Sequence, residues 1–98
     1  MTLNQVNLVG YVGNDPVNSQ KNGISFTRFR LATNTYRKGV SKTEWHDLVC
    51  FQNLAELAAK FVRKGSMLSI RGHLSTTRFK DSLNIDRWST KIIIENMT

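Results

Sequence analysis

Cysteine occurs once, at Cys50, so no disulfide can form within the chain. An inward-pointing thiol with no partner is expected to behave as a small core residue in a reducing compartment. Proline also occurs once, at Pro16, and no stretch is rich enough in proline, glycine or serine to make a linker. Apolar runs stop at three or four residues, far short of the ~20 that a membrane-spanning helix takes. The opening "MTLNQVNLVG" lacks the basic-then-apolar order of a secretory signal, so a soluble, cytoplasmic protein is expected. Acidic residues are scarce: seven Asp and Glu stand against fourteen Lys and Arg, for a formal net charge of +7. Asp15, Glu44, Asp47, Glu56, Asp81, Asp86 and Glu95 are scattered, whereas hydrolytic chemistry wants carboxylates gathered around a metal or a water. There is no Gly-rich phosphate loop, no Ser-His-Asp arrangement and no thiol with a base beside it. One cysteine and two distant histidines, His46 and His73, show none of the short spacings of a zinc site. No enzyme, no metal and no cofactor are expected.

What the chain does have is enough for one small domain over residues 1–98, with one modest core. Hydrophobic residues make up 40% of it and charged residues 21%, which favours folding over disorder. Its basic surplus favours a polyanionic partner, nucleic acid or an anionic membrane surface. That surplus is spread along the chain and not gathered into a tail.

Alternating apolar residues predict a first strand over about 3–12, carrying Val6 and Leu8, and a second over about 24–36. The turn-rich "GNDPVNSQKNG" separates them. A basic loop, "RKGVSK", leads to a third strand, "TEWHDLVCF", at 43–51. Leu54, Leu57, Ala58 and Phe61 then recur at helical spacing over 52–63. A fourth strand follows at about 66–79 and a fifth at about 85–95. Three strands, one helix and two strands is the order of the OB-fold. The expected architecture is therefore all-β with one helix, a five-stranded Greek-key barrel with the helix between strands three and four.

The strand faces carry the functional signal. On the third strand, Leu48 and Cys50 point to the core together with His46, a structural histidine in that register. The opposite face carries Trp45, Val49 and Phe51 where polar residues would suit water. Such a face fits a contact with another copy of the chain, or a platform on which unpaired bases stack. Phe26, Arg28, Arg30 and Tyr36 alternate outward on the second strand. "TTRFKD" sets Phe79 between Arg78 and Lys80, and Trp88 lies on the fifth strand. Three aromatic–basic clusters on separate strands exceed what a core requires and favour the platform. Arg28, Arg30, Arg37, Lys38, Arg71, Arg78 and Lys80 are the cations expected to follow the phosphates.

The segments "NLVGYVGNDP", "FRLAT", "TEWHDLVCF", "LAELAAKFVRKGS", "IRGHL" and "DRWSTKIII" together resemble the OB domain of bacterial-type single-stranded DNA-binding proteins, in that family's order and over nearly the whole chain. The resemblance implies sequence-independent binding and protection of single-stranded DNA in replication, recombination or repair, with RNA left open. It places the stacking aromatics at Tyr36, Trp45, Phe51 and Phe79, with an aromatic also usual at Trp88. It sets His46 near subunit contacts, and the first strand, with Val6 and Leu8, in the pairing of a homotetramer or dimer. Three features depart from the family pattern. Asp47 stands where a basic residue is usual, and the loop 37–42 is short. The sequence ends at "IIIENMT", without the family's acidic tail, so tail-dependent replication partners are not expected. A shortened chain and a tailless relative both fit that ending. A factor like primosomal replication protein N, and an OB module whose aromatic face binds protein, are the alternative functions.

Overall fold

In the structure, a computed structural model that describes residues 2–98, seven elements follow in order. They are β1 (Val6–Val12), β2 (Val17–Lys21), β3 (Ile24–Arg37), β4 (Val40–Phe51), α1 (Gln52–Phe61), β5 (Met67–Lys80) and β6 (Asp86–Met97). β1 runs antiparallel to β5, β5 to β6, and β4 to β3. β6 joins β4 in a short parallel pairing, Leu48 with Ile92 and Val49 with Ile93. The ring closes where β3 returns to β1 through Tyr11–Ala32 and Val12–Leu31. Five strands thus form the expected OB barrel, with the helix between its third and fourth strands.

β2 is not expected from the sequence, where its residues fall within a turn-rich stretch. It lies against β3 as a sixth strand on the edge of the sheet. "VNSQK" has one apolar residue and no alternation to betray it. The signal was in the turn. Asn22 and Gly23 have φ of 54° and 78°, the double positive φ of the tight hairpin that Asn-Gly favours. Lys38 and Gly39, at 50° and 76°, turn β3 into β4 in the same way. β3–β4 and β5–β6 both run on past the barrel as two-stranded arms whose outer residues are exposed.

Phe29, Leu31, Leu48, Cys50, Ile70, Ile92 and Ile94 fill the barrel, and Ala55, Ala58 and Val62 close one end. The helix is rotated from the face its larger side chains suggest. Leu57, expected inside, is 46% exposed, and Phe61 is 73% exposed. Periodicity weighs big apolar residues most heavily. Close approach of a helix backbone to a barrel mouth selects small ones, and the alanines win.

Thr27 is wholly buried and joins three elements. Its hydroxyl donates to the Ala55 carbonyl on α1 at 2.7 Å and accepts from Asn18 Nδ2 on β2 at 2.8 Å. Thr27→Val keeps the shape but strips both bonds, leaving polar groups unpaired around it. A loss of ~1–2 kcal/mol in unfolding free energy is expected. It should be read as a lower urea midpoint at unchanged m-value.

Candidate functional site

Cross-strand register builds the site. On β3 and β4, Phe26 faces Phe51, Arg28 faces Val49, Arg30 faces Asp47, Ala32 faces Trp45 and Tyr36 faces Ser41. Residues directly opposite share a face, so Arg28, Arg30, Tyr36, Trp45 and Phe51 lie together on the outside of the sheet, as the period-two reading expects. Phe51 is 42% exposed, and its ring centroid lies 6.4 Å from that of Phe26 at a 45° tilt, a normal geometry for an aromatic pair. Val49 departs from expectation. It points outward with Trp45 and Phe51 but is only 5% exposed.

Val49 lies in a groove of about 510 Å³ that Phe26, Phe51, Ile24 and Ile93 also line. Lys21, Arg28 and Lys91 bring positive charge to this groove, and Ser75 and Thr77 bring hydroxyls. Among the described residues no carboxylate lines it. A second groove of about 380 Å³ shares Phe26 and Arg28 and leads toward Arg30 and Asp47. Lys21 and Lys91 were missed by sequence reasoning. Lys21 sits beside the unrecognised Asn-Gly turn, and Lys91 precedes three isoleucines whose run hides which face each residue takes.

Trp45 is half-exposed and fitted to its surroundings. A Cβ at residue 13 would overlap the indole, so Gly13 is what leaves room for the ring. The Arg30 guanidinium lies over the ring, 4.9 Å from its centroid, and Arg30 Nε is 3.7 Å from Asp47 Oδ1.

The remaining predicted residues are placed less uniformly. Tyr36, Arg37 and Lys38 are exposed at the end of the β3–β4 arm. On the β5–β6 arm Phe79 faces Arg87, and one step along Arg78 faces Trp88. Phe79 and Trp88 therefore occupy opposite faces of that arm. Phe79 shares its face with Thr77 and Lys91, which line the main groove; Trp88 does not. Asp86 accepts from Arg78 Nη2 at 2.7 Å and lies 3.3 Å from Lys80 Nζ, so these two cations are partly neutralised at home. At the arm's tip, hydrogen bonds from the Ile85 amide and from Arg87 hold the Asp81 carboxyl below its usual range.

Arg71 lies apart from the groove of Phe26 and Phe51, in a smaller one of about 280 Å³ with Asn7, Val9 and Asn96. Val6 and Leu8 pack partly buried against the core, whereas Asn7, Val9 and Tyr11 are the exposed residues of β1. His46 finds its partner within the chain, Thr33 Oγ1 at 2.8 Å from Nε2. Burial pushes the Cys50 thiol up to about 11, so it stays protonated. Among the described residues no three His, Cys, Asp or Glu side chains gather as a metal site. No helix of the described chain is long and apolar enough to cross a membrane.

The arrangement offers flat rings, a groove rimmed by cations and two arms that reach beyond the barrel. Residues 3–98 match the family model described as the single-strand binding protein family. The "Single-stranded DNA-binding protein" of Xanthomonas campestris pv. campestris is 36% identical, over 97% of this chain and 59% of its own length. That of Xanthomonas axonopodis pv. citri is 36% identical, over 97% of this chain and 56% of its own. The chain thus spans less than two thirds of the length of these relatives. Among solved structures, the Plasmodium falciparum SSB in complex with ssDNA superposes with a TM-score of 0.89. It is 31% identical, over all of this chain and 93% of that one.

Proposed function

The chain belongs to the single-strand binding protein family, and from that premise we propose that it binds single-stranded DNA without strong sequence preference. Bases stack on Trp45, Phe51, Tyr36 and Phe79 while Lys21, Arg28, Arg37, Lys38 and Lys91 hold phosphates. Single-strand binding proteins are the type example of this stacking mode, which supports the same mechanism here. The observation that carries it for this chain is the groove of aromatic wall and cationic rim, with no carboxylate in its lining among the described residues. A π-face accepts any base, and a cation accepts any phosphate, which is why no sequence preference follows. The role is binding and protection, not catalysis, in replication, recombination or repair in the cytoplasm.

Assembly is part of the proposal. Among the described residues, β3 reaches β1 only at Tyr11 and Val12, so Val6–Val9 pair with β5 on one side alone. An open strand edge of this kind is a template for pairing with a second copy. That supports a homotetramer or dimer built on β1.

Titration with poly-dT tests the reading. Intrinsic tryptophan emission is expected to fall on binding, and a Trp88→Phe background assigns the change to Trp45. Saturating poly-dT that leaves the emission of that background unchanged would sink the stacking model.

A further inference from the structure

In the free chain the half-exposed Trp45 ring carries a guanidinium over one face. Arg30 and Asp47 face each other across β3 and β4, and Trp45 is two residues from Asp47 on the same face. From that diagonal position the Arg30 guanidinium lies over the indole at 4.9 Å from the centroid. The carboxylate of Asp47 stands 3.7 Å from Arg30 Nε, and both side chains are more than half exposed. The ring also packs closely on Gly13, where an added Cβ would overlap it. The Arg30 backbone is fixed by the same turn. Its amide donates to Asn14 Oδ1 at 3.0 Å, and its carbonyl accepts from the Gly13 amide at 2.8 Å. The Arg30 side chain, by contrast, is more than half exposed.

We propose that Arg30 is a removable cover on Trp45 and that Asp47 sets how firmly the cover is held. This rests on the stacking role of Trp45 given above. A guanidinium on an exposed ring is held more weakly than a stacked base, so a base can displace it. The displaced Arg30 is then free to pair with a backbone phosphate of the bound strand, which its planar guanidinium suits. Asp47 opposes that exchange: it attracts Arg30 in the free chain and repels the phosphate in the complex. The pair therefore limits affinity at this position and makes Trp45 less available than Phe51.

The test uses four forms of the whole chain in a Trp88→Phe background: the parent, Asp47→Asn, Arg30→Gln and the double substitution. Without DNA, acrylamide quenching of Trp45 should rise in Arg30→Gln, and in Asp47→Asn to a smaller degree. Unchanged quenching in Arg30→Gln overturns the cover. With oligo-dT at low salt, Asp47→Asn should tighten binding roughly two- to fivefold, the scale of an exposed ion pair. Asp47 also acts as a plain negative charge, and the cycle separates the two effects. If it acts through Arg30, most of the gain disappears when Arg30 is already Gln. A gain of equal size in both backgrounds overturns the proposal. A parent chain that binds no oligo-dT at all overturns the stacking reading itself, whatever the acrylamide result.

Discussion

Phe51→Ala and Trp45→Ala should each weaken binding to oligo-dT by ~1–3 kcal/mol, roughly 5- to 150-fold in affinity. Phe51 belongs at the upper end. It walls the main groove, is supported by Phe26, and carries no cation over its face among the described residues. Trp45 offers a larger ring but surrenders Arg30 when a base arrives, which belongs to the lower end. Folding should respond weakly to both, since each ring is about half exposed. Leu48→Ala, on the same strand but 1% exposed, should instead cost ~2–5 kcal/mol of stability. Binding isotherms and urea curves on the three variants separate site from core. If either aromatic variant dissociates an oligomer yet binds with unchanged affinity, the face is a protein interface and the stacking assignment fails.

The contrast between Leu48 and Trp45 was legible because period two is strict: on one strand, even positions go in and odd positions go out. The same rule placed Arg28, Arg30 and Tyr36 beside Trp45 without any structure. It failed where burial depends on neighbours as well as direction. Val49 points outward like Phe51, yet it lies between Arg28 on β3 and Ile93 on β6, and the groove floor hides it. Helix α1 failed for a related reason: the residues that meet the barrel are the small ones, and hydrophobic size misdirects the reading. Lys91 and Lys21 were illegible because their significance is a distance between strands remote in sequence. Arg71 shows the converse. Its outward register is correct, but the curve of the barrel sets that part of β5 against β1, away from the groove of Phe26 and Phe51. Charge sign was readable from the chain; charge pairing was not, and the ion pairs of Asp86 change which cations remain available.

That pairing sets the expected salt dependence. Among the described residues Lys21, Arg28, Arg37, Lys38 and Lys91 make no ion pair, whereas Arg78 and Lys80 share Asp86 and Arg30 leans on Asp47. If roughly five phosphates are neutralised per protomer, the log–log slope should be about −3.5, at about −0.7 per phosphate on a single strand. Raising salt from ~50 to ~200 mM should then cut affinity by about 100-fold. The slope can be partitioned by substitution. Lys91→Gln removes an unpaired cation at the groove and should make the slope shallower by about 0.7. Lys80→Gln removes a cation whose release from Asp86 offsets part of any phosphate contact, so its slope should stay near the parent's. Fluorescence titrations with oligo-dT at several NaCl concentrations measure all three forms. Equal changes in Lys80→Gln and Lys91→Gln would mean that the strand follows the β5–β6 arm as closely as the groove, with Asp86 no obstacle. A slope near zero in the parent would remove the phosphate contacts from the mechanism altogether, leaving the rings to bind alone.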